Sequence, residues 1–169
     1  LAAIEQLDRA GQVTSGERGA VAIRDKANLV LGTMLFESAE YDRAYHALDR
    51  VRLEGPFSNQ ALLRAGWAEV SAGHYERALV PWNILAGREV TDAAVQEALL
   101  AAPFAYSKLE VHGRAALMYG QALEAYTNEL DRVDASIDSI RKGNFLKALI
   151  REEIRKDEDW VVRLRELPG

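Results

Sequence analysis

The chain has 169 residues, 49% hydrophobic and 28% charged, which is an ordinary composition for one soluble folded domain and argues against disorder. A net charge of −5 with no dense run of Lys and Arg lacks the electrostatic footprint of a nucleic-acid binder, and the longest apolar runs, such as 98–106, fall far short of the ~20 residues that span a bilayer. There is no cysteine, which removes disulfide, thiol and Cys-based metal chemistry and is compatible with either cytoplasm or periplasm.

Taken in order, residues 1–10 put Leu1, Ile4 and Leu7 on one side of a short helix that Gly11 stops. A lone helix with one apolar face needs a partner, so it reads as the second helix of a preceding, truncated repeat. The chain opens at Leu1 with neither Met nor a charged-then-apolar leader, and this start reads as cut from something longer. Gln12 to Arg18, with Thr14, Ser15 and Gly16, reads as a loop with capping residues, after which a helix runs to about Ser38. Gly55-Pro56 punctuates the chain because the residue before Pro is pushed out of the α region, and Ser58 is expected to cap the next helix.

Around Ala72-Gly73-His74, apolar or small residues recur at helical spacing: Leu62, Ala65 and Gly66 before the turn, Ala78, Trp82 and Leu85 after it. That predicts two antiparallel helices. Pro81 and Pro103 fall inside helices, where they leave the carbonyls of Arg77 and Leu99 without their usual N–H partner, and two bends are expected. From Gly113 the pattern changes. Leu123, Tyr126, Leu130, Val133, Ile137 and Ile140 alternate in steps of three and four, a heptad seam predicting one long helix over about Arg114 to Arg141 with a turn at Gly143. The amphipathic segment Phe145, Leu146, Leu149, Ile150 and Ile154 is expected to return against it as an intramolecular hairpin, the other reading being a dimer seam. A final short helix would carry Trp160, Val161, Leu164 and Leu167.

A longer period underlies these elements. Gly32 and Gly66, Tyr41 and Tyr75, and Ala44 and Ala78 are each 34 residues apart, whereas Trp67 and Phe104, Ala78 and Ala115, and Leu85 and Ala122 are each 37 apart. One period and a three-residue insertion near Arg88 to Asp92 account for both sets. A helix-turn-helix unit recurring every ~34 residues has the spacing of tetratricopeptide repeats. Residues 25–56 resemble that family through Leu31-Gly32, Tyr41, Ala44 and the closing Pro56, and residues 59–92 through Gly66, Gly73, Tyr75 and Ala78, with Val90 where a closing Pro is usual. Residues 96–129 depart further, with Pro103 at the small-Gly position and His112 in place of Tyr.

The resemblance covers about 100 residues and implies an all-α fold. It would be a right-handed superhelical array of antiparallel helix pairs, a TPR-like solenoid, with a long C-terminal helical hairpin. The implied units are 1–24 (the end of a preceding repeat and a loop), 25–58, 59–95, 96–142 with an extended second helix, and 143–169 as C-terminal helices. Parts of 51–67 and 95–109 also resemble long proteobacterial repeat proteins that begin with a secretory leader, which implies a periplasmic parent.

In this family the first helices line a concave groove. The register assigns Lys26, Gln60 and Glu97 to one row of it, Leu29, Leu63 and Leu100 to a second, Thr33, Trp67 and Phe104 to a third, and Glu37, Ser71 and Lys108 to a fourth, with Phe36 and Val70 nearby. Large aromatics mixed with both signs of charge suit an amphipathic helix or extended peptide of a protein partner. The clamp by which some members grip a C-terminal carboxylate is not seen, because Leu29, Trp67, Leu100 and Phe104 stand where polar or basic residues are needed. His46, His74 and His112 share no helix face, so neither a metal triad nor a nucleophile-base pair is expected. Asp131, Asp134 and Asp138 lie on one helical face and read as a solvated acidic surface rather than a cation site. The function expected is a non-catalytic protein-protein interaction scaffold without metal or cofactor, the alternative being an oligomerisation or spacer element that self-associates. Neither nucleic-acid binding nor membrane insertion is expected.

Overall fold

A computed structural model describes residues 2–143, and among these all regular structure is helical: α1 (Ala2–Gly11), α2 (Arg18–Glu37), α3 (Tyr41–Asp49), α4 (Ser58–Ser71), α5 (Tyr75–Ala86), α6 (Ala93–Lys108) and α7 (His112–Arg141). The expected segments at Phe145–Ile154 and Trp160–Leu167 lie outside the described residues. Two compact units are distinguished, Leu1–Tyr126 and a second that begins at Thr127. Among the described residues no helix is long and apolar enough to cross a membrane.

In the first unit each helix from α1 to α5 packs on the next along the chain, and α4 also touches both α2 and α6. The turns joining α2 to α3, α4 to α5 and α6 to α7 share one set of bonds. Ala39, Gly73 and Glu110 take positive φ, at +58°, +85° and +61°. In the first turn Ala39 N–H donates to Phe36 O and Glu40 N–H to Leu35 O. Gly73 and His74 repeat this on Val70 and Glu69, and Glu110 and Val111 on Ser107 and Tyr106. These paired bonds satisfy the last carbonyls of a helix and require a left-handed residue, for which Gly is the unstrained choice. Ala39 and Glu110 hold that conformation with a Cβ, which costs about 1–2 kcal/mol. Ala39→Gly should therefore raise the urea midpoint by the equivalent of about 0.5–1 kcal/mol, the remainder going to the freer unfolded chain. An unchanged or lowered midpoint would show that the turn carries no strain.

Small residues set how closely the helices approach. Added Cβ atoms at Gly32 and Gly66 would come within 3.0 Å of the Leu48 and Trp82 side chains respectively, so α3 and α5 lie almost on the backbones of α2 and α4. On α6, Val95, Ala98, Ala102 and Ala105 are fully buried and admit α5 on one side and Met118 of α7 on another. Trp82 fills the space these alanines leave. It is fully buried, sets its ring edge-on to Trp67 at 5.0 Å, and donates Nε1–H to Leu63 O at 3.2 Å. Ile4 and Leu7 of α1 pack on the cluster of Leu31, Leu35, Ala44, Ala47 and Ala68, which gives the isolated apolar face its partner. Buried Asn28 donates Nδ2–H to Gly11 O at 2.9 Å and occupies the space a Cβ at Gly11 would need.

Two local expectations change. Ser58 is the first residue of α4 and Phe57 its N-cap; the Ser58 hydroxyl donates to Leu53 O at 2.7 Å, tying down the 50–57 loop. At α2 the cap position is Glu17, with no side-chain cap bond, and the Ser15 hydroxyl accepts from Glu17 N–H at 3.3 Å outside the helix. Pro81 and Pro103 do lie inside α5 and α6, and both are buried.

The long helix ends in the predicted turn, with Gly143 at φ +70° and its N–H on Ile140 O at 2.9 Å. In the second unit Leu130, Val133, Ile137 and Ile140 are exposed, beside an ion pair between Arg132 and Glu129 at 2.9 Å.

Candidate functional site

Helices α4 and α6 lie side by side in the first unit, and the groove between their N-terminal halves is an open cleft of ≈ 690 Å³. Helical spacing puts Gln60, Leu63, Arg64 and Trp67 on one stripe of α4. Across from them stand Asp92, Ala93, Ala94 and Glu97, and Gly55-Pro56 closes one end. Trp67 is half-buried. Its Nε1–H donates to Glu97 Oε1 at 2.6 Å, which joins the two walls, and its ring adjoins Phe104 at 6.4 Å. Phe104 in turn meets Tyr75 edge-on at 6.5 Å and carries the Lys108 ammonium 5.5 Å from its centroid.

The rim is built by the loop between α5 and α6 together with the start of α4. Asp92 caps α6 by accepting from Ala94 N–H at 2.8 Å. The Asn59 amide beside it, together with the Ala94 and Val95 N–H groups and the Arg88 charge, holds the Asp92 carboxyl below the usual carboxylate range against the opposing effect of burial. Arg88 spans from this loop to the start of α4, bonding the Ser58 hydroxyl at 2.8 Å, the Asn59 amide oxygen, and Leu53 O at 2.9 Å. Arg52 makes a similar tie one pair earlier, its Nε 2.7 Å from buried Asp25. Arg64 has neither an ion pair nor a hydrogen bond among the described residues and faces the cleft.

The groove residues assigned from the register separate into four groups. Gln60, Leu63 and Trp67 line the cleft, and Phe104 and Lys108 continue from Trp67 along α6. Leu29 is buried with Leu48, Val51, Ala61 and Ala65, because α4 packs over α2 at that point; it is a core residue and presents nothing to a partner. Thr33 donates its hydroxyl to Leu29 O at 2.8 Å, Phe36 packs on Tyr41 at 5.5 Å, and Val70 lies against the α5/α6 core. Lys26 stands apart from the cleft, 5.1 Å over the Phe57 ring, at the edge of an apolar depression formed with Leu7, Ile23 and Val30. Sequence reasoning missed Arg64, Asn59 and Asp92. Arg64 was readable as the residue between Gln60 and Trp67 on the same stripe, but the loop contributions depend on contacts some 30 residues apart in the chain, Arg88 to Ser58 and Asn59.

Chemically the cleft offers a flat aromatic wall, the Leu63 side chain, one unengaged guanidinium and carboxylates at the far rim. Among the described residues there is no group of three or more His, Cys, Asp or Glu that would hold a metal ion. His74 Nδ1 lies 3.0 Å from Glu69 Oε2, away from the cleft lining. A scan against protein-family models found none that matches the chain, and a search of curated proteins returned no match either.

Proposed function

We propose that this chain is a tetratricopeptide-like scaffold, its helix pairs stacked in a right-handed superhelix, that binds an extended or helical segment of a protein partner in the α4/α6 cleft. The recurrence of one contact supports the repeat reading: Gly32 lies on Leu48 and Gly66 on Trp82, both partners advancing by the same 34 positions. The turn bonds at Ala39, Gly73 and Glu110 recur with the 34- and 37-residue spacing. The observation that carries the binding reading is Trp67, a half-exposed indole fixed by Glu97 beside a free Arg64 in an open cleft. Buried aromatic anchors supply most of the energy in such interfaces, and rim charges select orientation.

The test is capture of partners from the native extract by the immobilised chain. Trp67→Ala and Phe104→Ala should each weaken a captured partner by about tenfold or more, the effect of losing a hot-spot aromatic. If every captured protein is retained equally by both variants, the cleft is not the binding surface. A periplasmic location accompanies this reading, and protease access only after outer-membrane permeabilisation would support it.

A second reading is favoured by α7, where Leu130, Val133, Ile137 and Ile140 are exposed in steps of three and four. Self-association through that seam would make the chain an oligomerisation element. Light scattering that finds a strict monomer over a wide concentration range removes it.

A further inference from the structure

The stripe of α4 carrying Ser58, Ala61, Leu62 and Ala65 points about half a turn away from the stripe that lines the cleft. There α3, α4, α5 and the 50–57 loop enclose a second concavity of ≈ 260 Å³. Its rim is apolar and exposed: Leu53 at 55%, Val80 at 61% and Ile84 at 38%. Isolated exposed aliphatic residues need no explanation, but three around one hollow form a contiguous patch.

The hollow is also built. Arg88 and the Ser58 hydroxyl both bond Leu53 O, at 2.9 and 2.7 Å, so the loop that supplies Leu53 is pinned to the rest of the wall. Buried Pro81 lines the α5 side. A wall held in place before binding avoids the ordering cost that weakens a flexible one.

One charged residue lines the hollow, Asp49, and it forms no ion pair or hydrogen bond among the described residues. It lies near Tyr45, whose phenol is pushed up by burial and then by the Asp49 and Glu69 charges. The volume falls just below the ~300–1,000 Å³ of small-molecule pockets and suits one large side chain.

We propose that this concavity is a second binding site, which takes one leucine- to tryptophan-sized side chain of a polypeptide partner carrying a lysine or arginine beside it to meet Asp49. It is independent of the α4/α6 cleft, so the chain would hold two polypeptide segments at once.

The test is fluorescence anisotropy on the full chain with a labelled pentapeptide bearing a central tryptophan between two lysines. Binding should saturate. Val80→Asp, at an exposed position, should weaken it by about tenfold or more, since it sets a charge in the apolar rim. Asp49→Asn should weaken it by about two- to fivefold, the range of a solvent-exposed ion pair. Replacing the flanking lysines by glutamate should reduce binding further, and Trp67→Ala should leave it unchanged. Leu53→Ser, in the loop, serves in place of Val80→Asp if circular dichroism shows that variant unfolded. Unsaturable binding, equal binding by the rim variants, or loss of binding in Trp67→Ala would overturn the proposal; the last would assign the peptide to the cleft instead.

Discussion

Gly66→Ala is expected to destabilise the first unit by about 3 kcal/mol, although alanine is the better helix former. The new methyl would fall within 3.0 Å of Nε1, Cε2 and Cδ1 of Trp82, atoms of a rigid ring rather than the end of a flexible chain. The indole has nowhere to move. It is fully buried, meets Trp67 edge-on at 5.0 Å, packs in the α5/α6 cluster, and holds Leu63 O through its N–H. Either α4 shifts off α5 or the indole leaves its hydrogen bond, and overpacking of this kind costs about 1–3 kcal/mol with roughly 1 more for the bond. Gly120→Ala is the matching control. Gly120 lies inside α7 with nothing within 4 Å of its added Cβ, so there alanine should stabilise by about 1 kcal/mol. In a Trp82→Ala background the Gly66 substitution should cost almost nothing, because the clashing group is gone. Urea unfolding of the four variants measures all of this. If Gly66→Ala falls within about 0.5 kcal/mol of the parent, the close approach of α4 and α5 is not what the register implies.

Arg77→Ala is expected to cost about 2 kcal/mol, more than its own exposure suggests. Glu69 is 1% exposed, and its charge is met by two groups that reach it from the solvent side. His74 Nδ1 stands 3.0 Å from Oε2, and Arg77 Nη2 stands 2.8 Å from Oε1, off the line of a well-aligned hydrogen bond. Arg77 also lies over the Tyr45 ring at 5.5 Å, so a single side chain connects α5 to both α4 and α3. Breaking a buried pair from one end costs about 3–5 kcal/mol, and the half-exposed arginine reduces that figure through solvent screening. The loss is chiefly that of a stranded carboxylate. Adding Glu69→Leu to Arg77→Ala should therefore recover most of the stability, since an apolar replacement leaves no charge to satisfy. Should the double variant be less stable than Arg77→Ala alone, the carboxylate contributes something besides its pairing with Arg77.

Local periodicity carried much of the architecture. The helix runs around Gly32, Gly66 and Pro103, the turn at Ala72-Gly73-His74 and the long helix ending near Arg141 are all present as the spacing predicts. Such features are legible because the apolar period and the Gly and Pro punctuation act over a few residues of chain. The candidate groove was legible only in part: Gln60, Leu63 and Trp67 share one stripe of α4 and line one cleft, while Leu29, at the matching position of α2, is buried.

Tertiary packing decided the rest. Whether a residue at a given helical phase faces solvent depends on which neighbour lies over that phase, and α4 covers α2 at Leu29 in a way the period does not encode. Ala39 and Glu110 occupy left-handed turn positions that composition would assign to glycine, because the packed helices on each side hold the turn bonds in place. Ser58 left its expected cap for Leu53 O, and Arg88 reached back 30 residues to Ser58, because both find their partners only once the helix pairs are side by side. The sequence by itself therefore determined helices and the turns between them. Which residues line the cleft and the opposite hollow was settled by contacts between segments distant in the chain, since exposure is a property of neighbours in space rather than neighbours in sequence.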